Sequence, residues 1–129
     1  MMLKSLTISL MLVGVAMAYN SYRSLIPNGG SVPNPCGGAS WRGVGHLAEG
    51  GTGPLNRFGA DFAANNHVWD RTLCLLDSDG DGRSNGEELG DSHCHWSVIS
   101  GGHLSSATGH PGICEPVGSG ACASSGFTC

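Results

Sequence analysis

Charged and aromatic side chains are scarce in this sequence, at 12% and 6% of its residues. Lysine occurs once, at Lys4, so there is no basic stripe to meet a nucleic-acid backbone or an anionic membrane. No Cys-x-x-Cys pair is present, which removes the usual signature of a structural zinc site. The His-Glu-x-x-His and Gly-x-Ser-x-Gly motifs of zinc peptidases and serine hydrolases are missing too, as are an N-glycosylation sequon and any internal repeat. At 129 residues the chain is too short for a large nucleotide-binding fold or an eight-stranded α/β barrel. Long apolar runs are confined to the N-terminus. There Lys4 precedes the stretch from Leu6 to Val15, and Ala16-Met17-Ala18 has the small-x-small form of a cleavage site. Residues 1–18 therefore read as a secretory signal peptide, since the run is shorter than the roughly 20 residues a spanning helix needs. The expected organisation is a calcium-loop domain over 19–99 and a Gly/Ser/Cys-rich C-terminal extension over 100–129.

What remains after residue 18 is unevenly charged. Five arginines face ten acids, and six of the acids lie between Asp77 and Asp91 with Arg83 as the only base among them. That segment carries −5 while the rest balances at zero. Such a concentration points to a cation.

The motif that carries chemistry is the twelve-residue stretch from Asp77 to Glu88, which matches an EF-hand calcium loop position by position. Asp77, Asp79 and Asp81 stand at positions one, three and five, each offering a carboxylate oxygen. Gly82 permits the sharp turn at position six. Arg83, seventh, would offer its backbone carbonyl and turn its charge away. Asn85, ninth, reaches the ion directly or through water, and Glu88, twelfth, binds through both oxygens. A hard cation that takes six to eight oxygens suits this spacing. Ser84 replaces the aliphatic eighth residue that bridges paired hands, and no second loop exists. The expectation is a structural Ca2+, permanently held at extracellular concentrations, where such modules work near ~10⁻⁴–10⁻³ M.

Six cysteines (36, 74, 94, 114, 122 and 129) behind a signal peptide predict three disulfides out of 15 possible pairings. Cys74 and Cys94 bracket the loop, so a Cys74–Cys94 bond would clip its two ends together. Cys36–Cys114 and Cys122–Cys129 complete the expected set. Upstream of the loop, Phe58, Phe62, Asn65, Trp69, Leu73 and Leu76 recur at three- and four-residue steps. This predicts two helical pieces over 56–76, capped by Asn56 and Asn66, with an apolar face for a core. Residues 19–56 are rich in turn signals and hold only short apolar pieces, Leu25-Ile26 and Trp41 to Leu47, read as brief strands or packed loops. The fold class is a small disulfide-rich α+β or irregular domain, in which a helical segment leads into one EF-hand-like calcium loop.

Several stretches together carry a resemblance. These are Tyr22-Arg23-Ser24-Leu25-Ile26-Pro27-Asn28-Gly29, Gly43-Val44-Gly45-His46, Asn56-Arg57-Phe58-Gly59-Ala60-Asp61-Phe62, Trp69-Asp70-Arg71-Thr72-Leu73-Cys74 and the acidic loop through Asp91. In them the chain is similar to temptins, secreted proteins of the water-borne pheromone mixtures of molluscs, over roughly residues 19–96. The resemblance implies a non-enzymatic role, exercised with an attractin-like pheromone peptide as partner. It also matches Cys74 and Cys94 to the family's loop-flanking pair and Cys36 to its first cysteine, while the cysteine-rich tail departs from the family.

Two rival readings stand beside this one. An extracellular calcium-binding structural or matrix protein would share the signal, the disulfides and the loop. A copper or zinc enzyme would draw on the six histidines, His46, His67, His93, His95, His103 and His110, of which His93 and His95 flank Cys94.

Overall fold

The computed structural model describes residues 22–129, so the expected signal peptide lies outside the described residues. Among the described residues three short α-helices carry the architecture: α1 (Arg57–Ala64), α2 (Arg71–Leu75) and α3 (Asn85–Leu89), with 3-10 turns at Arg23–Leu25 and Gly120–Cys122. Each α-helix starts at a side-chain cap that satisfies a free backbone N–H. Asn56 accepts from Gly59 for α1, Asp70 from Leu73 for α2 and Ser84 from Glu87 for α3. The expected Asn66 cap is thereby corrected to Asp70. Asn66 sits at φ 58°, in the left-handed region, whereas a cap needs the extended backbone that Asp70 adopts at φ −138°.

Where short strands were expected, the described residues hold three isolated antiparallel bridges: Val32 with Trp41, His46 with Leu55, and Ser97 with Gly101. Proline and glycine interrupt the segments too often for a ladder to extend.

The core is small. Ile26, Val32, Val44, Phe58, Phe62, Trp69, Leu73 and Leu89 form one buried cluster, so the apolar face of α1 and α2 meets the N-terminal loops and α3. The predicted face ends at Leu73, because Leu76 is largely exposed. Trp41 is buried apart from this cluster, edge-on to the His110 ring at a centroid distance of 4.9 Å.

The disulfides link Cys74 to Cys94, Cys36 to Cys129 and Cys114 to Cys122. The last two replace the expected Cys36–Cys114 and Cys122–Cys129 pairs. The reason is the route of the C-terminal segment, which does not trail away from the domain. Ser105 N–H bonds Gly90 O, and Thr108 and Gly109 N–H both reach Glu88 O. Residues 109–114 are buried, and the Gly120–Cys122 turn then folds the tail back on itself. Cys122 is thereby returned to Cys114, and Cys129 is left beside Cys36.

Candidate metal centre

The loop from Asp77 to Glu88 runs between α2 and the last turn of α3. Its backbone is shaped by its own carboxylates. Asp77 accepts from the N–H groups of Gly80 and Gly82, Asp79 from Asp81, and Asp81 from Arg83. Gly80 and Gly82, at φ 72° and 93°, take left-handed conformations that a side chain would strain. Ser78 Oγ donates to Asp61 on α1 at 2.7 Å, which ties the loop to the helix before it.

One ligand atom each from Asp77, Asp79, Asp81 and Glu88 lies within 4.8 Å of all the others. Glu88 is 0% exposed, and neither of its oxygens has a hydrogen-bond partner; Asp79 Oδ2 is likewise buried without one. Unpartnered buried carboxylate oxygens are costly, more so beside one another. The electrostatics express this. Burial, reinforced by the charge of Asp81, pushes Asp79 up to about 9. Burial, with the charges of Asp79, Asp81 and Glu115, pushes Glu88 up to about 10, against the opposing pull of Arg83. Oxygen donors alone, anionic and converging, are the donor set of a hard divalent cation.

Two residues of the motif stand elsewhere. Asn85, expected as a ninth-position ligand, is wholly buried and committed to the frame. Its amide donates to Leu73 O and Ser78 Oγ, and its oxygen accepts from Ser78 N–H. The Arg83 guanidinium donates to Thr108 Oγ1 in the C-terminal segment.

Sequence reasoning missed three participants. Asp91, counted only as one more acid of the loop region, accepts from the Trp69 indole and from the backbone of His95 and Trp96, so it organises the turn that carries Cys94. Glu115, on the distant tail, accepts from His110 N–H at 2.6 Å, and burial raises its pKa. Gly86 is the third. A Cβ there would lie 2.3 Å from Cys74 Sγ, so α3 can pack under the disulfide only without a side chain at that position. The Gly86-Glu87-Glu88 spacing beside a paired Cys74 was the available signal for it.

The four-carboxylate cluster is the one group of three or more His, Cys, Asp or Glu ligands gathered among the described residues. The histidines are dispersed. His67 stacks on Tyr22, and His110 is fully buried, with Nδ1 accepting from Gly112 N–H. The His93 and His95 rings are 6.0 Å apart and tilted.

These features define a class: a small domain stapled by three disulfides, built around one acidic loop that a short capped helix closes. A family model described as the temptin C-terminal region matches residues 16–113. Over 106 residues the chain is 51% identical to temptin of Aplysia californica, covering 81% of this chain and 85% of that protein. The chain belongs to the temptin family. No solved structure matches it.

Proposed function

We propose that this chain is a secreted, non-enzymatic component of a water-borne protein pheromone mixture. It acts by binding a companion attractin-like peptide, and one calcium ion serves its structure. The observation that carries the signalling role is the 51% identity to Aplysia temptin across most of both chains. For the ion it is the buried Glu88 carboxylate, both oxygens unpartnered, gathered with three aspartates. Asp77, Asp79, Asp81 and Glu88 would hold the ion, with the Arg83 carbonyl and water completing the shell. With Asn85 occupied by the frame, water is the natural ninth-position donor. A lone loop whose closing helix is locked by Cys74–Cys94 suits a permanently filled site rather than a sensor that opens.

The test is capture from the animal's own secretions with oxidised protein as bait, in millimolar calcium and in chelator, with captured chains identified by mass. Recovery of a small cysteine-rich peptide in calcium is the expected result, and its loss in chelator would tie the interface to the ion. Recovery of insoluble matrix proteins alone would replace the pheromone reading with that of a calcium-binding matrix protein.

A further inference from the structure

Helix α1 divides two chemically different faces. Asp61 is directed to the acidic loop through Ser78, and Arg57 approaches Gly80. On the other side Gly59, Phe62 and Ala63 form one wall of an open groove of about 420 Å³. The backbone around Val44 and Gly45 also lines it and packs directly on α1, because neither Gly45 nor Gly59 carries a side chain: a Cβ on Gly59 would lie 2.0 Å from Gly45 O. Mostly apolar concave spaces of this size, with a few placed polar groups, are where proteins bind ligands.

The polar groups of this groove have one sign. Exposed Arg42 and half-buried Arg23 line it, and no aspartate or glutamate does. Neither guanidinium has a carboxylate partner among the described residues. The acids nearest in sequence are engaged elsewhere, Glu49 with the Asn34 amide and Asp61 with Ser78. An apolar floor beneath two unpaired arginines, 23 and 42, on a protein whose net charge is negative, is complementary to an apolar group flanked by carboxylates. Leu55, which lines the groove, is 46% exposed, so a ligand would keep one side in water, as a docked chain does.

We infer that this groove is the docking site for an acidic peptide segment. One aromatic or branched aliphatic side chain of the peptide packs in the groove over Phe62 and Ala63, and its flanking carboxylates pair with Arg23 and Arg42. This deepens the partner reading above and rests on it for the class of ligand.

The probe is acetyl-Asp-Phe-Asp-Leu-amide, titrated into the full oxidised, 15N-labelled chain in millimolar calcium. Saturable amide shifts at Gly45, Gly59 and Ala63 are expected. Arg42→Glu should weaken binding about tenfold. Ala63→Trp, which fills the groove from the half-buried last turn of α1, should abolish it while the Trp69 indole signal, fixed by Asp91, stays in place as proof of folding. No saturable shift would overturn the proposal, as would equal binding by the lysine counterpart of the peptide. Equal affinity and equal shifts with phenylacetate would reassign the groove to small anions. In the capture experiment, loss of the companion peptide with Ala63→Trp is the supporting result. If that variant captures the companion peptide normally, the groove assignment fails and the partner reading stands. If wild-type protein captures no peptide although the tetrapeptide binds, the partner reading fails and the groove stands as a peptide site.

Discussion

Residues 57–91 and residues 105–129 are ordered by different means. The first stretch is organised locally: three capped helices and a loop whose carboxylates bond its own backbone, each of these hydrogen-bond partners within a few residues. The second has one turn of 3-10 helix and few large apolar side chains. It is held by remote contacts: Asn28 Nδ2 bonded to both Leu89 O and Ser105 O, Glu88 O shared by Thr108 and Gly109, Trp41 against His110, and the Cys36–Cys129 bond. The difference teaches where stability resides. The tail depends on the covalent bond for its place, whereas the acidic loop depends on charge balance.

The largest effect should come from breaking the long-range bond. The Cys36–Cys129 bridge joins residues 93 apart, and in the chain-entropy model its loss costs about 4.7 kcal/mol. Loss of Cys114–Cys122, which joins residues 8 apart, costs about 2.5 kcal/mol. Paired Cys→Ser variants compared by denaturant midpoint should fall in that order, and hydrogen exchange should show residues 105–115 losing protection before α1 and α2. Equal loss of protection in both regions would erase the contrast.

The acidic loop should respond with a change of sign. Glu88→Gln removes a buried carboxyl that, without calcium, must take up a proton or stand uncompensated, so in chelator the variant should be more stable than wild type by about 1–3 kcal/mol. In saturating calcium it should be less stable, having lost a ligand. The wild-type pH dependence in chelator carries the same signature. Asp79 and Glu88 are raised to about 9 and about 10, so the ion-free native state binds more protons than the unfolded chain. Its stability should therefore rise as pH falls from about 10 toward the carboxylates' unfolded values. His110 opposes this, since burial lowers it from 6.5 to about 3 and the unfolded chain takes the proton first. Below about pH 6.5 the gain on acidification should flatten. Thermal melts across pH with and without chelator measure both trends; a stability that falls steadily on acidification in chelator would contradict the charge-balance account.

The smallest effect sharpens the local side of the comparison. Asp70→Ala removes the α2 cap and should cost about 1 kcal/mol, with no change in tail protection. Asn66→Ala, at the left-handed position of the α1 C-terminal cap, should not reproduce this loss of α2 protection.

The legible parts of the molecule follow the same division. The gathering of the three loop aspartates with Glu88, and the Asn56 cap, were readable because both depend on spacing along one short stretch. Asn66 was misread for Asp70 because a sequence does not display the sign of φ. The part Asn85 plays in the frame was not legible, because the groups that claim it, Leu73 O and Ser78 Oγ, converge only when α2 and α3 pack. The tail pairings, and the place of Glu115 near the loop, follow from a path set by Asn28, Glu88 and Trp41, each more than a dozen residues away, and no local pattern encodes such a path.

The Cys36–Cys129 bond has a further consequence. It makes nearly the whole domain a covalent ring, with Cys74–Cys94 and Cys114–Cys122 as chords across it. A single peptide-bond cut anywhere between those two outer cysteines opens the ring without releasing a fragment. A molecule diluted beyond any chance of reassociation would keep its pieces together through one proteolytic nick and shed them only on a second cut or on reduction.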